Sequence, residues 1–77
     1  MVAAVPAPSV LAALDSRDLE ILELLVLGLP TSRIAARLFL APKTIRNRMP
    51  EMPGKLGVAT RTGAIAIGRA NGLGRKA

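Results

Sequence analysis

The 77-residue chain contains no cysteine and no histidine, and Phe39 is its only aromatic residue. Without cysteine no disulfide can brace it, which fits a reducing cytoplasm. Lacking both residue types, it is without the common metal sites and most acid–base or nucleophilic machinery. No catalytic residue, metal, cofactor or small-molecule substrate is therefore expected. Acids are scarce too: Asp15, Asp18, Glu20, Glu23 and Glu51 are the whole set, and four of them crowd one short segment, the pattern of a solvated helix face. No run reaches the roughly 18 uninterrupted apolar residues of a membrane span. The opening Met-Val-Ala-Ala-Val-Pro-Ala-Pro-Ser-Val has no basic leader and carries Pro6 and Pro8. A secretory signal is not expected there, and the cytoplasm is the default location. The basic part has no aromatic anchors, which argues against a membrane surface as its partner.

What is present is strongly asymmetric. Residues 1–30 hold four acids and one base, a net of −3, and residues 31–77 hold ten bases and one acid, a net of +9. A basic second half of this kind points to a polyanionic partner. The length allows one small domain with a modest core.

Residues 1–13, rich in Ala, Val and Pro, read as a flexible tail or linker, with Leu11 and Leu14 available to pack on the first helix. Asp15 is an N-cap, and Asp18 three places later makes a weak capping box. Leu19, Leu22, Leu25 and Val26 form one helical face that Ile21 and Leu24 widen, and Glu20 and Glu23 point outward. The spacing predicts a helix over 16–27 that ends at Gly28 in a left-handed position. A second helix starts at Pro30 or Thr31 and is expected to turn Ile34, Ala35, Leu38 and Phe39 inward and Arg33 and Arg37 outward. Thr31 and Ser32 fall where backbone N–H groups and hydroxyls meet a phosphate. Leu40-Ala41 is the turn, with Leu40 plugging the angle between two helices.

Pro42 suits a first helical position. Ile45, Met49, Met52 and Leu56 then draw one stripe, with Lys43, Arg46, Asn47 and Arg48 on the other side. Cations and an amide are the side chains that grip phosphate and read base edges. Gly57-Val58-Ala59 breaks the pattern, Thr60 caps a last helix, and Ala64, Ile65, Ile67 and Ala70 are its apolar positions. Gly63 and Gly68 each cost that helix about 1 kcal/mol of propensity. Gly72 is placed at its C′ position with Leu73 as the accompanying contact, and residues 75–77 form a frayed basic end. Four short helices and no strand candidate give an all-α domain with a central helix-turn-helix, whose second helix lies in the major groove of DNA.

The chain resembles the LuxR-type, or GerE-type, helix-turn-helix domain found at the C-terminus of bacterial transcription regulators, response regulators among them. The resemblance covers about residues 14 to 73. It rests on Leu14-Asp15-Ser16-Arg17-Asp18-Leu19-Glu20-Ile21-Leu22, Gly28-Leu29, and Ile34-Ala35-Ala36-Arg37-Leu38-Phe39-Leu40. It continues with Pro42-Lys43-Thr44-Ile45-Arg46-Asn47-Arg48, Lys55-Leu56-Gly57-Val58 and Thr60-Arg61-Thr62. It implies sequence-specific binding of double-stranded DNA by a transcriptional regulator whose third helix enters the major groove, with residues 14–74 as the domain. Lys43, Thr44, Arg46 and Asn47 would then read bases, with the position of Pro50 often facing DNA as well. Thr31, Ser32, Arg48, Lys55 and Arg61 would serve the phosphates. The fourth helix would supply a homodimer contact through Ala64, Ile65, Ile67 and Gly68.

Some residues depart from the family pattern. An acid is usual at Arg33, a Ser or Thr cap at Ala41, and a histidine at Arg48, while Pro50 and Pro53 fall where the family has an unbroken helix. A proline in a helix interior costs about 3 kcal/mol, and Met49 and Met52, each preceding one, are expected to leave helical angles. Two prolines three apart exceed what a single kink absorbs. The expected outcome is a reading helix that ends near Met49, followed by a short turn that returns Met52 and Leu56 to the core. The alternative function is a degenerate helix-turn-helix module, its reading surface broken by these prolines, acting in protein interaction or dimerisation.

Overall fold

A computed structural model describes residues 10–74, all of whose regular structure is helical. The tail before residue 10 and the basic end after residue 74 lie outside the described residues. Val10–Ala13, within the stretch expected as a tail, is a 3-10 turn, with Leu11 packed against the core and Leu14 part of it. The α-helices are α1 (Ser16–Val26), α2 (Thr31–Leu38), α3 (Pro42–Arg48), the single turn α4 (Met52–Lys55) and α5 (Arg61–Ala70). A 3-10 turn, Met49–Glu51, joins α3 to α4. The four expected helices are thus present, the third divided in two.

Local chemistry sets most of these boundaries. The Asp15 carboxylate accepts from the Asp18 N–H at 2.8 Å, and the Thr60 hydroxyl accepts from the Gly63 N–H at 3.0 Å. α2 and α3 start at Pro30 and Ala41 with no side-chain cap. Four helices end in one way. A residue in the left-handed conformation at C′ is followed by a half-buried apolar residue whose N–H reaches back five positions, which is the Schellman arrangement. The pairs are Gly28 and Leu29, Phe39 and Leu40, Gly57 and Val58, and Gly72 and Leu73, with the backward bonds at 3.1, 2.9, 2.9 and 2.9 Å. Leu40 is thereby turned back to pack against the core.

Phe39 overturns its expected inward placement. At φ 57° it is the only non-glycine residue with positive φ among the described residues, and the residue is 94% exposed. The left-handed turn carries the side chain away from the face shared by Ile34, Ala35 and Leu38.

The prolines also act differently from the expectation. Pro50 and Pro53 each stand second in a newly started element, where the missing N–H has no intrahelical acceptor to serve. Met49 (φ −63°, ψ −39°) and Met52 (φ −63°, ψ −46°) keep helical angles despite the proline after each. The tertiary setting outweighs the pre-proline preference, for Met52 is buried and Met49 packs against the core. The reading helix does end at Arg48, and Met52 and Leu56 do return to the core.

The core joins Ile21, Leu22 and Leu25 of α1, Ile34 of α2, Ile45 of α3, Met52, Leu56 and Ala64. α1 packs on α5, α2 on α3, and α4 on α5. At Gly68 α5 lies close against α1. A Cβ there would sit 3.0 Å from Val26 and 3.2 Å from Leu22. Among the described residues no helix is long and apolar enough to cross a membrane.

Candidate nucleic-acid interface

α3 presents two faces. Ile45 is fully buried and fixes the helix to the core, while Lys43, Arg46 and Asn47 are exposed and Thr44 is half-buried. None of these three exposed side chains has a hydrogen bond or ion pair among the described residues. All four expected base-reading residues precede the prolines, so the interruption leaves their helical presentation intact. Arg46 can donate two bonds to guanine O6 and N7, and Asn47 matches an adenine edge.

The expected phosphate set is placed less uniformly. Ser32 and Arg61 are exposed near the starts of α2 and α5. Thr31 is half-buried, its hydroxyl 3.9 Å from Met49 Sδ, a weak contact at most. Arg48 and Lys55, expected to be free for phosphate, are engaged within the chain. Arg48 Nη1 donates to Asp18 Oδ1 at 2.9 Å and lies 3.3 Å from Asp15 Oδ2, and Lys55 Nζ donates to Asp18 Oδ2 at 2.9 Å. The Asp18 side chain is 2% exposed, against 35% for Arg48 and 39% for Lys55. Hydrogen bonds to Asp18, and for Arg48 also to Asp15, raise the pKa of both cations above their ordinary values. The Asp15 carboxyl is held below its usual range, first by the Asp18 N–H it caps and further by Arg48, with partial desolvation opposing.

The sequence marks Asp18 as a capping residue, whereas in the fold it is the shared acceptor of Arg48 and Lys55. The signal was present: Asp18, Leu22 and Leu25 share one helical stripe, and an acid on an apolar stripe requires a partner. The partners are 30 and 37 residues away, and nothing local announces them.

The expected dimer set, Ala64, Ile65, Ile67 and Gly68, lies entirely on α5. Ala64 and Gly68 are buried within the chain, with Gly68 against α1, while Ile65 and Ile67 are half-buried against the core. At Gly68 the small residue serves the intrachain contact, because a Cβ there would press on Val26 and Leu22 of α1.

Among the described residues no group of three or more His, Cys, Asp or Glu could hold a metal ion.

Residues 12–67 match the family model described as bacterial regulatory proteins, luxR family. The chain is 42% identical over 52 residues to the spore germination protein GerE of Bacillus subtilis (strain 168), covering 68% of this chain and 70% of that protein. It is also 42% identical over 53 residues to the probable HTH-type transcriptional regulator GfsR of Streptomyces halstedii. That match covers 69% of this chain but only 22% of the Streptomyces protein. No solved structure matches the chain.

Proposed function

The chain belongs to the luxR family of bacterial regulatory proteins, whose helix-turn-helix regulates transcription through DNA, and from that premise we propose that α3 reads an operator sequence in the major groove. One observation carries the reading: Lys43, Arg46 and Asn47 stand exposed and uncommitted on one short helix whose opposite face is anchored by Ile45. Thr44 reads beside them. Arg61, Ser32 and Thr31 serve the flanking phosphates, which position the module without specifying sequence.

The protein acts in the bacterial cytoplasm as a homodimer on two half-sites, joined through α5. Ile65 and Ile67 retain partial exposure there, beside the exposed Ala66, Arg69 and Ala70. Selection from a random duplex pool tests this reading. The expected product is an enriched motif in two copies whose centres lie about one helical turn, 10 to 10.5 base pairs, or a multiple of it apart. A pool that emerges without enrichment contradicts the reading.

A further inference from the structure

Resting on that DNA reading, we propose that Asp18 is a positioning residue for recognition: it holds Arg48 and Lys55 on either side of the proline interruption, and both cations stay with it when DNA is bound.

α3 is seven residues long, too short to be stable on its own. It starts without a side-chain cap, and Ile45 is its only buried residue. Directly after it, the chain restarts twice at prolines. What fixes the direction of such a helix must come from outside it. Arg48 is the last residue of α3 and Lys55 the last of α4, so they bracket the interrupted segment. They are seven residues apart, two helical turns, and therefore share a face only because the chain keeps helical angles through Met49 and Met52. Each reaches a different oxygen of the same carboxylate at 2.9 Å. Asp18 lies in the first turn of α1, so it ties the reading segment to the helix that packs on both α2 and α5.

The competing assignment, with both cations as phosphate clamps, requires them to leave Asp18. That would strand an almost fully buried carboxylate in return for contacts at a screened surface. The balance favours the carboxylate. The cluster of Asp15, Asp18, Arg48 and Lys55 is also charge-neutral in itself, so these two cations add little to the attraction for DNA.

The two assignments differ in the sign and in the salt dependence of their effects. Affinity for the selected duplex and for a random duplex is measured between 50 and 300 mM salt for the wild type, Lys55→Met, Asp18→Asn and Arg61→Gln, with helicity checked by circular dichroism. Removing a phosphate clamp lowers the slope of log K against log salt by about 0.9. Arg61→Gln is expected to show that loss, and Lys55→Met to keep the wild-type slope while losing discrimination between the two duplexes. Asp18→Asn raises the net charge from +6 to +7, which by electrostatics alone would tighten binding. The positioning role predicts at least a tenfold loss on the selected duplex with no loss on the random one. If Asp18→Asn does not fold, the slope of Lys55→Met decides. A slope lowered by about 0.9 in Lys55→Met overturns the proposal, as does an Asp18→Asn protein that binds the selected duplex as tightly as wild type. A wild type that binds neither duplex overturns instead the DNA reading on which the proposal rests.

Discussion

Phe39 is the residue whose conformation and side chain are most at odds. The Schellman ending of α2 demands a left-handed residue at this position, and at the other three such endings the chain uses glycine. An L-residue there costs about 1–2 kcal/mol in contact between Cβ and the backbone. Little is recovered by burial, because Phe39 is 94% exposed. Phe39→Gly is therefore expected to stabilise the domain by about 0.5–1 kcal/mol after the backbone entropy of glycine is subtracted. For a domain of this size that is a rise of roughly 2–8 °C in Tm, measurable by thermal melting. A lower Tm would mean that the ring makes a stabilising contact after all. The sequence could not show this, since Phe39 stands five residues from Ile34 and one from Leu38, close enough to the apolar stripe to look inward-facing. Only the requirement that Leu40 fold back to Ala35 puts Phe39 at the bend.

Element boundaries were legible wherever a side chain carries the chemistry of a helix end. Asp15 and Thr60 at N-termini, and Gly28 and Gly72 past C-termini, all stand in their expected roles. The segment around Pro50 and Pro53 was legible only in part. Local preference correctly ends α3 near Met49, but it does not contain the burial of Met52 that keeps the backbone helical through both breaks. Glycines in helices show the same division between local and tertiary control. Propensity alone favours alanine at every helical glycine by about 1 kcal/mol. At Gly54 a Cβ meets nothing within 4 Å, so Gly54→Ala is expected to raise stability by up to that amount. At Gly68 the Cβ would press on Val26 and Leu22 at 3.0 and 3.2 Å, so Gly68→Ala is expected to lower stability by about 1–2 kcal/mol through displacement of α5 from α1. Denaturant unfolding of the two variants should move their midpoints in opposite directions. A shift of both the same way would contradict the close packing of α5 on α1.

At the scale of the whole molecule, the charge map changes meaning once the fold is known. Ten bases in residues 31–77 suggest a uniformly basic DNA face. In the folded chain Arg48 and Lys55 are committed to Asp18, while Arg33, Arg37, Lys43, Arg46, Arg61 and Arg69 are exposed without an ion-pair partner among the described residues. Lys43, Arg46 and Asn47 could be named from sequence as exposed candidates because they lie off the apolar stripe that Ile45 anchors. Which cations bind within the chain could not, because ion pairs across 30 or more residues depend on how the helices pack.

The central claim is that α3 reads DNA through Arg46, and a matched pair of charge reversals tests it most directly. Arg46→Glu and Arg33→Glu each lower the net charge from +6 to +4, and both residues are exposed on neighbouring helices. A lost bidentate contact to guanine is worth about 1–3 kcal/mol, and a carboxylate set against the acceptor edge adds repulsion. Affinity for the selected duplex is therefore expected to fall about 100-fold or more in Arg46→Glu, to the level of a random duplex, with Arg33→Glu far less affected. If the two variants lose affinity equally, or if Arg46→Glu still discriminates the selected duplex from the random one, α3 is not the reading element.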